Sequence, residues 1–281
     1  MASFSAQCTL FRDLHASGCF VIPNPWNAGT AKYLRRLGFR ALATTSAGAA
    51  FARGLPDGAV SLNEMLGHIS EMVQATELPV NADFGAGFGD EPEQVAQNVK
   101  ACVQTGVAGL SIEDATGSDA TPLYEFSVAV DRIKAARAAI DESGSGALLT
   151  ARAECYLTGH PKPFAESIRR LQAYADAGAD VLYAPGVTKR EEMRKIVAAA
   201  APKPVNILMS SDLGMNVSDL AEMGVRRISV GSALARTAWS GFIRAAKEIA
   251  EQGSFGAFAG LTPHAELDRF FREESMEAGK R

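Results

Sequence analysis

The chain of 281 residues is 47% hydrophobic and 21% charged, the balance of an ordinary globular protein with a sizeable core. Its formal charge of −4 and pI near 5.7 argue against a nucleic-acid or anionic-membrane surface, because no basic stripe is available to meet phosphates. No apolar run approaches bilayer-spanning length, no secretory leader is visible, and Cys8, Cys19, Cys102 and Cys155 have no zinc or C-x-x-C spacing; a cytoplasmic protein with reduced thiols is expected.

Residues 1–18 read as a short amphipathic helix (Leu10, Phe11, Leu14) stopping at Gly18. The apolar run from Cys19 opens a strand over 19–24 that is buried on both faces, and 27–37 has helical spacing ended by Gly38. A strand at 41–46 is followed by a small-residue loop through Asp57, and Ser61 with Glu64 forms a capping box for a helix running to about Thr76. Strand 79–84 leads through Gly85, Gly87 and Gly89 to a helix at about 91–105. The alternation continues: strand 108–113 and helix 126–140, strand 147–152 and helix 164–177, strand 181–184 and helix 189–199. Strand 205–209, helix 217–223, strand 227–231 and a long helix at 233–251 complete it. An apolar linker then leads to a final helix at 262–274, and Phe255, Phe258, Phe270 and Phe271 need cover from this subunit or a neighbour's.

Helices repeatedly end in Gly and hand over to a strand within a few residues, as at Leu37-Gly38-Phe39, Thr105-Gly106-Val107, Ala177-Gly178-Ala179 and Met223-Gly224-Val225. Eight such strand–helix units fit a (β/α)8 TIM barrel with an additional C-terminal helix better than a doubly wound sheet, whose G-x-G-x-x-G fingerprint is missing from the first helix. The expected organisation is one barrel domain over 1–281, with 254–281 a helical extension packing on a neighbouring subunit.

In a barrel the active site lies at the C-terminal ends of the strands. That rule nominates Asn24, Thr45, Ser46, Asp83, Glu113, Asp114, Arg152, Glu154, Tyr183, Asn206 and Ser232. Carboxylates, one guanidinium and several amides and hydroxyls at a common mouth suit a hard cation such as Mg2+ with an anionic substrate. Strand alternation places one of Glu113 and Asp114 inside, with Glu113 the better choice, and leaves the other to a neighbouring Lys or Arg. Arg152 is expensive to bury alone, so it pairs with Glu154 or Glu113, or meets a substrate carboxylate. Against these stand plainer readings. Asp83 could cap a loop, Tyr124, the local candidate for a proton donor, could pack on the rim, and Cys155 reads as a small buried thiol. His15, His68, His160 and His264 have no triad spacing, and Glu166 with Arg169 and Arg170 reads as a solvated helix face.

Taken in series, Thr45-Ser46-Ala47-Gly48 with Gly54-Leu55-Pro56-Asp57, Pro79-Val80-x-x-Asp83 with Gly87-Phe88-Gly89, Gly109-x-x-Ile112-Glu113-Asp114, Ala151-Arg152-Ala153-Glu154 and Ala177-Gly178-Ala179-Asp180 resemble the isocitrate lyase/phosphoenolpyruvate mutase superfamily over about residues 20–250. The resemblance implies a (β/α)8 barrel, a homotetramer built as a dimer of dimers, Mg2+, and substrates that are 2-oxo acids or react through them. It also implies that Asp83 and Glu113 serve the metal, Asp57 its water, Arg152 an anionic substrate group, and Thr45, Ser46 and Ala47 the substrate carboxylate. Asn206 joins the substrate-binding set as a strand-end amide.

Two departures from the family pattern stand out. Gly85 occupies the place of a second acid, and the 114–124 loop has no Lys-x-Cys-Gly-His segment, so isocitrate or methylisocitrate cleavage by the usual route is disfavoured. The expected activity is cleavage of a C–C bond in a small 2-oxo or 2-hydroxy di-acid through an enolate, by retro-aldol chemistry or decarboxylation. Phosphonopyruvate-type P–C chemistry and non-catalytic binding of a keto acid are the alternatives.

Overall fold

The computed structural model describes residues 4–278, the side chains of 6–277 among them. In chain order the elements are α1 (Phe4–Ala16), β1 (Phe20–Ile22), α2 (Ala28–Arg36), β2 (Leu42–Ala43), α3 (Ser46–Ala52), α4 (Leu62–Ala75), β3 (Val80–Asp83), α5 (Pro92–Gln104), β4 (Gly109–Glu113), α6 (Phe126–Ser143), β5 (Leu148–Arg152), α7 (Pro163–Asp176), β6 (Val181–Tyr183), α8 (Arg190–Ala200), β7 (Val205–Leu208), α9 (Val217–Glu222) and β8 (Arg227–Ser229). The strands form one eight-stranded parallel sheet in the order β1-β8-β7-β6-β5-β4-β3-β2. The remaining seam is bridged where the Ala43 N–H donates to the Pro23 carbonyl at 3.0 Å. This is a (β/α)8 barrel.

Local chemistry explains the element ends. Ser61 and Glu64 form the expected capping box on α4, Asn27 with Thr30 forms one on α2, and Asn216 with Asp219 forms one on α9. After α7 the chain turns at Gly178 with φ +99, where a Cβ would stand 2.7 Å from Arg137 Cγ; only glycine fits that corner. The core lies between barrel and helices, with Val99, Cys102, Ile112, Ile133, Ile140 and Leu149 almost fully buried.

The segment after Thr45, expected to be a loop, is the helix α3. Thr45 caps it by accepting from the Gly48 N–H at 3.2 Å, and its alanines are strong helix formers; small size alone concealed that propensity.

The described residues divide into two compact units, residues 4–232 and residues 233–278. The second holds α10 (Ala233–Gln252), a 3-10 turn (Gly256–Phe258) and α11 (His264–Ala278). Phe242, Phe255, Leu261 and Met276 are each more than 60% exposed in it, whereas Phe270 is buried. Among the described residues, no helix is long and apolar enough to cross a membrane.

Candidate active site

The strand ends of the barrel open into a cavity of about 540 Å3, within the range of small-molecule sites. Asn24, Thr45, Ser46, Ala47, Asp57, Asp83, Glu113, Arg152, Glu154, Tyr183, Asn206 and Ser232 all line it. Of the sequence-derived site residues, Tyr124 is outside this lining, and Asp114 lies behind it.

Arg152, last in β5, is the hub. Its Nη1 lies 2.8 Å from Asp83 Oδ1 and 3.1 Å from Glu113 Oε2, while Nε and Nη2 each lie 2.8 Å from Glu154 Oε1. The guanidinium also stands 5.1 Å from the centre of the Tyr183 ring. Burial alone would lower the Arg152 pKa, but Glu154, Glu113 and Asp83 raise it well above its ordinary value. Burial pushes the Glu113 carboxyl up, against the pull of Arg152 and with repulsion from Glu154 and Asp83. Glu154 is raised in the same direction for the same leading reason.

Asp83 ends β3 and is tied on both sides. Its Oδ2 accepts from the Ser46 N–H at 2.9 Å, and its own N–H donates to Thr44 Oγ1 at 2.8 Å. The Asp57 carboxylate accepts from the Gly58 N–H at 3.0 Å, and the nearby Ser46 side chain draws its pKa down. Asp57 is open to water along one edge, yet enclosure at the cavity wall and the Asp83 charge raise its pKa. The Thr45–Ala47 turn thus reaches both acids.

Strand alternation resolves the neighbouring pair as expected: Glu113 faces the cavity and Asp114 faces away. Asp114 is only 3% exposed and saturated, accepting from the Glu154 N–H at 2.8 Å, Arg170 Nη1 at 3.0 Å and the Tyr174 hydroxyl at 2.5 Å. Arg170 is therefore no part of a solvated face. It is buried, and it joins Asp114 to Glu166 at 2.8 Å and donates to the Tyr124 carbonyl at 3.1 Å. The tertiary partner Asp114 overrides the helical i,i+4 pattern that suggested exposure.

Five consecutive carbonyls of the glycine-bearing loop, residues 86–90, accept from two side chains, the half-buried Asn98 and the buried Arg132. Asn98 serves Gly87 and Phe88 at 2.9 and 3.0 Å, and Arg132 serves Ala86, Gly89 and Asp90. The Arg132 guanidinium lies 3.9 Å from the Tyr124 ring centre, and the Tyr124 hydroxyl donates to Asp90 Oδ1 at 2.6 Å. Burial and that bond push the Tyr124 phenol up to about 12. Tyr124 therefore ties the loop after β4 to the loop after β3. Cys155 is fully buried, with its thiol pushed up to about 11 by burial, as expected of a packing residue.

Sequence reading missed Arg132 and also Arg227, Asn81 and Ser229 of the lower cavity. Arg227 and Ser229 alternate along β8, the spacing that turns both inward, and this was the available signal.

In donor chemistry the rim suits a hard divalent cation. Asp83 Oδ1 and Glu113 Oε2 converge on one Arg152 nitrogen, within 2.8 and 3.1 Å, so two carboxylate oxygens share a single focus. Among the described residues no group of three or more His, Cys, Asp and Glu side chains forms a ready cage. Gly85 lines the cavity with φ +53, and a Cβ there would meet nothing within 4 Å, so the place of a further carboxylate is open space. The set fits a cation that keeps several waters and takes oxygens from a substrate.

A parallel (β/α)8 barrel with acids and an arginine gathered at the mouth has the site at the end of the strands where barrel enzymes carry theirs. The chain belongs to the phosphoenolpyruvate phosphomutase family, whose model matches residues 11–250. A structure from Burkholderia cenocepacia J2315, assigned provisionally as a lyase/mutase, is 45% identical, covers 95% of this chain and 96% of its own, and superposes with a TM-score of 0.91. The 2-methylisocitrate lyase of Escherichia coli K12 is 31% identical over 62% of this chain and 60% of that enzyme. Oxaloacetate acetylhydrolase in complex with the product oxalate is 27% identical, with 99% and 98% of the two chains covered and a TM-score of 0.85.

Proposed function

We propose that this chain is a Mg2+-dependent lyase that cleaves a C–C bond in a small 2-oxo or 2-hydroxy di-acid by way of an enolate. The observation that carries the reading is the convergence of Asp83, Glu113 and Arg152 at the cavity mouth. Asp83 and Glu113 would hold the cation and Asp57 a water on it; bound Mg2+ supplies Lewis-acid stabilisation of negative charge on substrate oxygens.

The chain's own residues do the rest. Arg152 binds a carboxylate and, by leaving Asp83 and Glu113, frees two oxygens. The Thr45–Ala47 turn, already holding Asp83 through the Ser46 N–H, presents donors to the near carboxylate. Glu113 serves as a carboxylate toward the cation, and the proton that the enolate carbon needs is taken from water in the cavity. Tyr124 is assigned a tethering role, because its hydroxyl is committed to Asp90.

Relatives in the same family are named for 2,3-dimethylmalate, a branched hydroxy di-acid, and for 2-methylisocitrate, a branched hydroxy tri-acid, and the first of these supports a branched di-acid as substrate here. The test is incubation with oxaloacetate, 2-methylisocitrate, 2,3-dimethylmalate and phosphonopyruvate in the presence of Mg2+, with products read by NMR. Turnover of none of them sinks the proposal. The matched family model also supports P–C chemistry as a second reading, and release of phosphate from phosphonopyruvate would single it out. A homotetramer covering the exposed phenylalanines of residues 233–281 is part of the proposal, with light scattering as its check.

A further inference from the structure

The cavity has two arginines with opposite company. Arg152 is matched by three carboxylates at the rim. Arg227, at the start of β8, lines the same cavity and is 3% exposed. It donates to Asn206 Oδ1 at 2.9 Å and Thr150 Oγ1 at 3.0 Å, and its Nη1 lies 3.5 Å from His15 Nε2. These partners are all neutral. The His15 ring uses Nδ1 on the Phe11 carbonyl at 2.7 Å, and burial together with Arg227 drops its pKa to about 3, which leaves Nε2 as an acceptor. Among the described residues no carboxylate pairs with Arg227, and burial lowers its pKa to about 10.

A buried guanidinium without a counter-charge is costly, and the cavity above it is where an anion could offset that cost. The geometry also fixes a donor. Because Asn206 Oδ1 is taken by Arg227, the amide nitrogen of Asn206 must point the other way, where it donates to Ser229 Oγ at 2.9 Å. Asn206 and Ser229 both line the cavity, so the charge of Arg227 is relayed to polarised donors facing a ligand.

We propose that Arg227 is a specificity-determining residue: through its charge and the Asn206 amide it orients, the lower cavity takes the second carboxylate of the substrate while the rim holds the 2-oxo acid end. This rests on the 2-oxo acid reading of the site, and it seats the second carboxylate of the di-acid beside Asn206 and Arg227, leaving Arg152 and the Thr45–Ala47 turn to share the near one.

The experiment is calorimetric titration of the full chain, with Mg2+ present, against pyruvate and 2-oxoglutarate, which share the 2-oxo acid end and differ in the distal carboxylate. The wild type binds 2-oxoglutarate about tenfold or more tighter than pyruvate. Arg227→Gln, which can keep a hydrogen bond to Asn206 and drops the charge, loses about tenfold for 2-oxoglutarate and leaves pyruvate within about twofold. Arg227→Lys restores most of the loss. Asn206→Ala, which leaves the cation in place, gives a smaller loss with the same selectivity and serves if the Gln variant does not fold. Equal losses for both ligands, no loss, or a Lys variant no better than Gln overturns the proposal. If the wild type binds neither acid, the 2-oxo acid reading itself falls and takes this one with it, an outcome distinct from binding without selectivity.

Discussion

Arg152 Nη1 lies 2.8 Å from Asp83 Oδ1, a contact that joins the end of β5 to the end of β3 across the strand between them. An arginine in that position neutralises an acid that would otherwise repel its neighbours, and it stands ready to exchange that partner for a substrate anion. Arg152→Ala therefore removes both functions. Its kcat/KM is expected to fall at least about 100-fold, with partial recovery in Arg152→Lys, as steady-state kinetics on whichever di-acid is cleaved would show. Activity undiminished in Arg152→Ala contradicts the assignment.

Position 85 offers a gain-of-function test. Gly85 has φ +53, a region that Asp tolerates better than most residues, and a Cβ there meets open space. Gly85→Asp places a carboxylate beside Asp83 and Glu113, and Mg2+ should bind about tenfold or more tightly, worth ~1.4 kcal/mol, in a calorimetric or Mn2+-competition titration. An unchanged affinity in a folded variant would argue that the cation does not sit between Asp83 and Glu113.

Tyr124 separates a proton donor from a tether. Tyr124→Phe keeps the ring under Arg132 and loses only the bond to Asp90. A tether predicts a kcat within about fivefold of wild type, whereas loss of a proton donor costs about 100-fold or more. Comparison of kcat between the two proteins decides it.

The His15 ring carries a pH signature in stability. Burial, then Arg227, lowers its pKa from 6.5 to about 3, so the unfolded chain takes up a proton that the folded chain refuses. The stability is complete above pH 6.5 and is lost as pH falls from there towards 3, by about 2 kcal/mol at pH 5. Urea unfolding of the wild type and His15→Asn at pH 7 and pH 5 checks this, and the variant should show a smaller drop.

Much of the fold was legible because its signals are local. Apolar runs followed by helical spacing, with Gly178-type corners between them, repeat along the chain, and each unit can be read without its neighbours. Asp83, Glu113 and Arg152 were legible for the same reason, since a polar residue that ends an apolar strand is conspicuous and the barrel rule says where it points. What escaped depends on partners far away in sequence. Arg132 and Arg170 sit on helices where an arginine ordinarily faces water, and their burial follows from loop carbonyls and from Asp114, tens of residues distant. Arg227 opens a strand at the end remote from the mouth, where the barrel rule nominates nothing, and only closure of the barrel onto His15 and Thr150 gives it an interior place. The α3 helix escaped because its small residues show no apolar periodicity, although its alanines favour a helix once Thr45 caps one end.

The central claim, an enolate formed by C–C cleavage at this site, is tested most directly by running the di-acid panel in D2O with Mg2+ and reading the products by NMR. The account predicts cleavage of at least one 2-oxo or 2-hydroxy di-acid, one deuterium on the carbon from which the bond broke, and loss of the reaction in EDTA or in Asp83→Ala. Cleavage of no panel member, or phosphate release in place of C–C cleavage, would contradict it.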